Sequence, residues 1–488
     1  MVPERLRPVL DIANELSPLF EEAGAHLYLV GGVVRDALLD QLSPEGDIDF
    51  TTDALPPVTE QVLSTWADSI WTQGKRFGTI GAVKNGRRVE ITTHRAEEYE
   101  AGSRKPDVEF STAIEADLSR RDFTVNAMAI SLPDLQLVDP FNGVEDLAAK
   151  RLRTPLPAEL SFTDDPLRML RAARFIAGYG LQPEPALVEA VTRLRARLDI
   201  VSDERVRDEL DKLLVVDDPS EGLWFLVNTG LAEEFLPELP ALALEQDPVH
   251  RHKDVLAHTI AVVQRARPSR IVRLAALLHD IGKPKTRSFG PGGTVSFHHH
   301  ELVGARMTRD RMRALRYPAE DIEKVSKLVE LHLRFHTYAM GWTDSAVRRY
   351  VRDAGDLLDD LNELTRADCT TRTPARAQAL ARRLDELEVR VAELRQSEEL
   401  AAIRPDLDGK EVMSHLGIGP GPVVGRALGY LLELRLEEGP HSHEDAVRRL
   451  DEWWAGQPEA AVPGRAPEAA GSMGPAGREG SAGATGGD

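Results

Sequence analysis

Cysteine is nearly absent from this 488-residue chain, where Cys369 stands alone. A single thiol excludes an internal disulfide and suits a reducing cytosol, so a cytoplasmic protein is expected. Long apolar runs are also missing. None reaches the roughly 18 residues that a membrane span needs, and no membrane partner is expected. The opening MVPERLRPVLDIANEL is charged and lacks an apolar stretch ending in small residues, so it does not read as a signal peptide. Positive charge is in deficit: 60 Lys and Arg face 80 Asp and Glu, for a net charge of −20. That balance speaks against tight, sequence-blind binding to long RNA, and no DNA partner is expected. Local basic grooves remain open to it. Candidate clusters are Lys150, Arg151 and Arg153; Arg168, Arg171 and Arg174; and Arg306, Arg309, Arg311, Arg313 and Arg316.

What is present is ordinary globular material, 42% hydrophobic and 29% charged. The length predicts two to four domains. Residues 1–150 alternate short β-like runs (LYLVGG, GDIDFTT, TIGAVKNGRRVEITTHR, AMAISL) with helical patterns. From about 155 to 455 strand signals vanish and helical periodicity takes over. DPLRMLRAARFIAGYG is typical, with Asp165 and Pro166 as start signals and Gly178 and Gly180 as stops. Breaks are expected at Leu236–Pro248 and near Arg404–Gly409. The Gly/Ala/Pro-rich residues 456–488 bury too little apolar surface to order.

Residues 28–50 carry the first chemistry. A strand ends at Val30, Gly31 and Gly32 turn the chain, and a helix follows. Glycines let the backbone approach a phosphate, and the following helix offers free N–H groups to it. Arg35 projects from the first turn, placed to hold a triphosphate oxygen. Asp47 and Asp49 stand at i and i+2, which puts both carboxylates on one face of a strand. Like charges that close call for a cation. Such a pair can hold one or two Mg²⁺, which activate a 3′-hydroxyl and neutralise a leaving pyrophosphate. RRDFTVNAMAI (Arg120–Ile130) and VDPFNGVEDL (Val138–Leu147) follow.

The succession LVGGxVRD, GDIDF, RRDFTVNAMA, DPFNGxEDL, DDPLRMLRAARF and SDERVRDEL resembles the class II tRNA nucleotidyltransferase and bacterial poly(A) polymerase family across residues 25–240. The resemblance implies Gly31, Gly32 and Arg35 at the triphosphate turn and Asp47 and Asp49 as catalytic metal ligands, with Arg121 touching the nucleotide. It also implies that Asp165 and Arg168 read the incoming base through its Watson–Crick edge. A carboxylate accepts from an exocyclic amine, and arginine donates to ring nitrogen and carbonyl. The family's leading glutamate of that motif is here Asp164, whose shorter reach suits a helix start. Arg171 and Arg174, on the same side of the helix as Arg168, are placed to reach phosphates. Residues 95–109 resemble a flexible loop that full CCA-adding members keep with basic residues, here Arg104 and Lys105.

Histidines then recur in a second pattern: His258, the adjacent pair His279-Asp280 before Gly-Lys-Pro, His298 to His300, His332, and finally Asp368. A carboxylate inside an apolar helix needs compensation, and imidazole with carboxylate suits a divalent metal. The order H…HD…H…H…D resembles the HD phosphohydrolase superfamily. The resemblance implies His258, His279, Asp280 and Asp368 as core ligands. His300, with His299 as substitute, and His332 would serve a second metal or a phosphate, and Lys283 would touch phosphate.

The expected fold is α+β: a nucleotidyltransferase α/β head (1–150), a helical neck and body (151–240), an all-α HD domain (245–395), a helical tail (396–455) and the disordered end. The expected activity is addition and repair of the 3′-terminal CCA of tRNA from CTP and ATP, using Mg²⁺ in the head. A divalent metal of unspecified identity would sit in an HD domain of possible phosphohydrolase activity. The alternatives are a poly(A) polymerase, and an HD phosphodiesterase with an RNA-binding head. The acidic C-terminus lacks the basic tail that would hold arbitrary RNA.

Overall fold

The computed structural model describes residues 6–43, 46–98, 107–244, 254–291, 294–337, 342–369, 374–398 and 403–461. Arg104, Lys105, and residues 462–488 of the stretch expected to be disordered lie outside them.

Helix α1 (Arg7–Glu22) buries Val9, Ile12, Ala13, Leu16 and Phe20 at helical spacing. The chain continues through β1 (Leu27–Val30), α2 (Gly32–Leu38), β2 (Ile48–Thr52), α3 (Pro56–Trp66), β3 (Ser69–Trp71), β4 (Thr79–Lys84) and β5 (Arg87–Thr93). Then come β6 (Arg95–Glu98), β7 (Asp107–Phe110), α4 (Ile114–Ser119), β8 (Ala129–Leu132), β9 (Leu137–Val138) and α5 (Gly143–Ala148). Seven strands form one sheet in the order β3-β4-β5-β2-β1-β8-β9. Its alternating apolar residues (Leu27, Leu29, Ile48, Phe50, Ile80, Ala82, Val89, Ile91) share a buried cluster with α1. Strand β2 runs parallel to β5 and antiparallel to β1. This central pairing matters most for function, because it sets Asp49 directly opposite Glu90.

The neck follows as β10 (Arg151–Leu152), α6 (Ala158–Asp164), α7 (Leu167–Tyr179), β11 (Gln182–Pro183), α8 (Pro185–Leu194), α9 (Asp203–Leu214), α10 (Ser220–Asn228) and α11 (Ala232–Phe235). Helix α7 stops where expected, at Gly180 with φ 63°. The remainder comprises α12 (Val255–Arg265), α13 (Arg270–Leu278), α14 (Lys283–Thr286), β12 (Arg287–Phe289), β13 (Val295–Phe297), α15 (His300–Ala314), α16 (Ala319–Leu331), α17 (Asp344–Ala354), α18 (Leu358–Asp368), α19 (Pro374–Ser397), α20 (Gly409–Leu416), α21 (Pro422–Glu438) and α22 (His443–Ala455).

Two expectations change. The region beyond 155 is not strand-free: β11 pairs with β10, and β12–β13 form an antiparallel hairpin. The hairpin was legible as TRSF and TVSF flanking Gly-Pro-Gly-Gly. The chain also does not divide at 395. One compact unit holds residues 1–333 and 356–381, the other 334–355 and 382–488. Within the second unit the buried Arg348 of α17 donates to the Glu398 carboxylate and to the carbonyls of Leu436 and Glu437 at the end of α21. That explains why α17 groups with the C-terminal helices.

Candidate nucleotidyl-transfer site and metal centre

At the end of β1, Gly31 takes φ 70° and ψ −132°, a conformation that side-chain-bearing residues avoid. A Cβ there would meet Arg121 Nη1 at 3.1 Å and Asp49 Oδ2 at 3.9 Å. The phosphate turn, the arginine and the carboxylate thus converge on one small space. Asp47, just before β2, and Asp49, on it, are exposed, and Glu90 across the parallel register is exposed beside them. The packed cleft around Asp49, whose carboxylate still reaches solvent, pushes it up to about 6. Glu90 and Asp47 add to the push, while Arg121 pulls the other way. Three hard oxygen donors that repel one another are the donor set a cation such as Mg²⁺ satisfies. Glu90 was missed in the sequence because strand pairing, not spacing, brings it there.

Arg121 is anchored from behind. Its Nη2 donates to Asp117 Oδ2 at 3.0 Å, and Arg120 donates to Asp117 Oδ1 at 2.7 Å. Burial alone would raise Asp117, but the two guanidiniums outweigh it and hold the carboxyl at about 2. For Gly31→Ala, backbone strain of about 1–3 kcal/mol and pressure on Arg121 should raise KM for the nucleotide roughly tenfold. Steady-state kinetics would check this, and an unchanged KM would count against the turn as a phosphate cradle.

Arg35 departs from its expected role. It is buried, donates to Asn126 Oδ1 (2.6 Å) and Asp36 Oδ1 (2.8 Å), and lies 4.2 Å from the ring centre of Tyr179 on α7. Here it braces head against neck rather than projecting as an open phosphate hook. Arg171 and Arg174 depart from theirs likewise. Arg171 donates to Asp122 Oδ2 through Nε (2.8 Å) and Nη2 (2.5 Å), and Arg174 Nε donates to Glu209 Oε2 (2.7 Å). Their helical spacing does put them on one side of α7, where both are half-buried and their guanidinium groups are paired with buried carboxylates. Burial would raise Asp122, yet Arg171 and the Asn126 amide hold it at about 2. Asn126, Asp122 and Glu209 therefore complete a buried chain from the phosphate turn to α9.

Asp165 joins α6 to α7, accepting from the Leu167 N–H (3.2 Å) with Arg205 Nη2 3.5 Å away. Arg168 is buried; Nη1 donates to Ser161 Oγ (2.8 Å) and Nη2 to the Arg120 carbonyl. The two base-reading candidates thus sit at the head–neck junction, linked through Arg120 to the Arg121 anchor. Asp164 ends α6 instead of starting a helix. The expected basic clusters are largely neutralised: Arg153 pairs with Asp146, Arg309 with Glu330, Arg311 with Glu238, Arg313 with Asp310 and Arg316 with Asp203.

In the second constellation the structure brings His258, His279, Asp280, His300, His332 and Asp368 together. His258 Nε2 lies 2.9 Å from Asp368 Oδ1 and 3.6 Å from Asp280 Oδ2; His279 Nε2 lies 3.1 Å from Asp280 Oδ2, and His300 Nε2 3.4 Å from Asp280 Oδ1. His279, His300 and His332 each place Nδ1 at 2.6–2.8 Å from a backbone carbonyl (Ala276, Phe297, Val329). Donation there leaves each Nε2 with its lone pair turned to the centre, the arrangement of metal-ligating histidines. The buried Nε2 atoms of His279 and His300 have no hydrogen-bond partner among the described residues. Ligand atoms of His258, His279 and Asp280 lie within 4.8 Å of one another, and so do those of Asp280, His300 and His332. Burial, reinforced by His279, lowers His332 to about 3, so it stays neutral and able to ligate. His299, the alternative to His300, is 77% exposed and precedes α15 at φ 60°. The donor set fits a divalent cation.

Family models match three stretches: a poly(A) polymerase head domain at residues 27–153, a probable RNA- and SrmB-binding site of polymerase A at 180–242, and an HD domain at 255–373. The A-adding tRNA nucleotidyltransferase of Deinococcus radiodurans is 35% identical over 439 residues, 87% of this chain and 95% of that protein. The chain belongs to the tRNA nucleotidyltransferase family. The CC-adding tRNA nucleotidyltransferase of Thermus thermophilus is 33% identical, covering 89% of this chain and 95% of its own. Among solved structures, the CCA-adding enzyme of Bacillus stearothermophilus in complex with CTP aligns with a TM-score of 0.64 at 24% identity, covering 91% of this chain and 97% of that one. The Thermotoga maritima CCA-adding enzyme complexed with tRNA aligns at 0.57 and 19%, covering 93% and 98%. These neighbours show the α+β fold of a tRNA nucleotidyltransferase, and the curated relatives do not favour the poly(A) polymerase alternative. No described helix is long and apolar enough to cross a membrane.

Proposed function

We propose that this protein adds CMP, CMP and AMP to the 3′ end of tRNA in the cytosol, using CTP, ATP and Mg²⁺. The reading rests on Asp49, with Asp47 and Glu90 beside it, converging with Arg121 on the Gly31 turn, in a chain that matches nearly the full length of tRNA nucleotidyltransferases. Those carboxylates would hold magnesium, which would supply charge neutralisation for the triphosphate and acidity for the RNA 3′-hydroxyl. Asp47, Asp49 and Glu90 hold that charge in place. Arg121 meets the phosphates, and Asp165 with Arg168 presents the acceptor and donors that a cytosine or adenine edge requires. The extent of addition is the decisive observable, since the relatives include A-adding and CC-adding enzymes. Incubated with CTP and ATP, tRNA lacking its CCA should gain three nucleotides. A stop at two, action only on CC-ended tRNA, or long A tracts would each overturn the proposal.

The buried His/Asp centre supports a second activity, metal-dependent hydrolysis of a phosphoester. Asp280 belongs to both ligand groups, so it is the residue on which this activity depends most. Asp280→Asn should abolish divalent-metal binding at this centre, and any hydrolysis with it, while nucleotidyl transfer stays within twofold. Metal content and both activities, measured on one preparation, check this.

A further inference from the structure

The face of the head sheet that carries the carboxylates also carries an aromatic ring. Ile80, Ala82, Val89 and Ile91 lie in the core shared with α1, and Ile70 packs against it. Strand alternation therefore turns Trp71, Gly81, Arg88 and Glu90 to the other face, together with Asp49. Four of these residues form one row across the sheet. Asp49 is opposite Glu90, Glu90 is opposite Gly81, and Gly81 is opposite Trp71. Trp71 ends β3, the strand at the edge of the sheet. Its indole lies over Gly81, where a Cβ would collide with the ring atoms Cε2, Cζ2 and Nε1. The ring thus reaches from β3 towards Glu90 and is half-buried. The exposed Arg88 brings its guanidinium carbon to 5.3 Å from the ring centre.

An aromatic ring over a strand glycine is by itself a packing device. Its place in the carboxylate row gives it chemistry. Phosphoryl transfer sets the attacking and leaving oxygens roughly in line, on opposite sides of the phosphorus. The Gly31 turn and Arg121, which meet the triphosphate, lie on the β1 side of Asp49. The attacking 3′-hydroxyl must then arrive from the other side, over β5 and β4, where the indole stands. With strands about 4.8 Å apart, the ring over Gly81 leaves roughly 10 Å to Asp49, room for one nucleoside. We infer that the 3′-terminal nucleotide of the acceptor RNA is seated in this gap, its base against the Trp71 indole and its phosphate at Arg88. Stacking on an aromatic ring is favourable for every base, which suits an acceptor whose last nucleotide changes after each addition. The inference rests on the nucleotidyl-transfer reading of the head and adds to it the seat of the acceptor.

The test uses the full-length protein with Mg²⁺, CTP and tRNA lacking its CCA. Trp71→Ala should raise KM for tRNA about ten- to a hundredfold and leave KM for CTP unchanged, and Trp71→Phe should restore most of the loss. Arg88→Ala, at an exposed position, keeps the test valid should Trp71→Ala not fold. It should raise KM for tRNA severalfold and lower the slope of log KM against log salt by about one. An unchanged KM for tRNA in either variant that folds overturns the inference. So does a rise in KM for CTP alone, which would give the indole to the incoming nucleotide. A second readout needs no transfer. With 2-aminopurine as its 3′-terminal base, tRNA should be quenched more on binding the wild type than on binding Trp71→Ala, whereas the same probe at an internal position should not tell the two proteins apart. Quenching that depends on Trp71 in a protein that transfers no nucleotide would refute the transferase reading and sustain the acceptor seat. Equal quenching of the terminal probe by both proteins overturns the seat.

Discussion

Asp49→Asn is expected to lower CMP and AMP transfer to tRNA about a thousandfold without unfolding the protein. The change keeps the shape of the side chain and removes one negative charge from the site where Asp47, Asp49 and Glu90 meet. Metal-assisted neutralisation of a transferring phosphoryl group is worth several kcal/mol, and about 4 kcal/mol corresponds to roughly a thousandfold in rate. Glu90→Gln should reduce transfer less, by about ten- to a hundredfold, because two carboxylates would still hold the cation. Single-turnover kinetics separates this chemistry from nucleotide affinity. If Asp49→Asn kept more than a tenth of the wild-type rate constant, the assignment of the head site would fail. Because Asn removes charge with little change of volume, a loss of activity cannot be ascribed to repacking of β2.

Arg273→Ala is expected to cost about 3 kcal/mol of stability. This arginine of α13 is 1% exposed and is among the largest fully buried side chains. Its guanidinium donates to the carbonyls of Leu214 and Val216, of Asp217 at 2.9 Å and of Ala266 at 3.0 Å, which ties the end of α9 to the HD helices. Truncation strands several acceptors, each at about 1 kcal/mol or more, and opens a cavity besides. Arg273→Lys should recover little, since a point ammonium cannot reproduce the fork. Denaturant titration would show the loss as a lowered midpoint; a midpoint equal to wild type would show that the carbonyls find other partners. Nucleotidyl transfer should suffer only as the protein unfolds, because the Arg273 guanidinium meets the backbone carbonyls of Leu214, Val216, Asp217 and Ala266 and none of the head carboxylates.

Much of the chemistry was readable from the chain alone, for local reasons. Gly31-Gly32 before a helix and Asp47/Asp49 at i and i+2 depend only on backbone rules over a few residues. His279-Asp280 was equally legible, since a carboxylate in an apolar helix demands compensation. Arg171 and Arg174 show the opposite case. Helical spacing states which side of α7 they occupy, but not that Asp122 and Glu209 lie opposite. The same blindness hid the burial of Arg35 against Tyr179 and let the arginines of α15 pass for an open basic groove.

By itself, then, the sequence determined the paired carboxylates, the Asp165 and Arg168 candidates for base reading and the histidine pattern, because each is a short-range arrangement of residue types. Tertiary structure alone decided three things. It chose Glu90 as the third carboxylate, committed the neck arginines to bracing rather than to phosphate, and laid the Trp71 indole over Gly81 in the row of the carboxylates. These depend on which strand lies beside which and which face meets which, and such pairings are settled by burial of apolar surface across the whole unit.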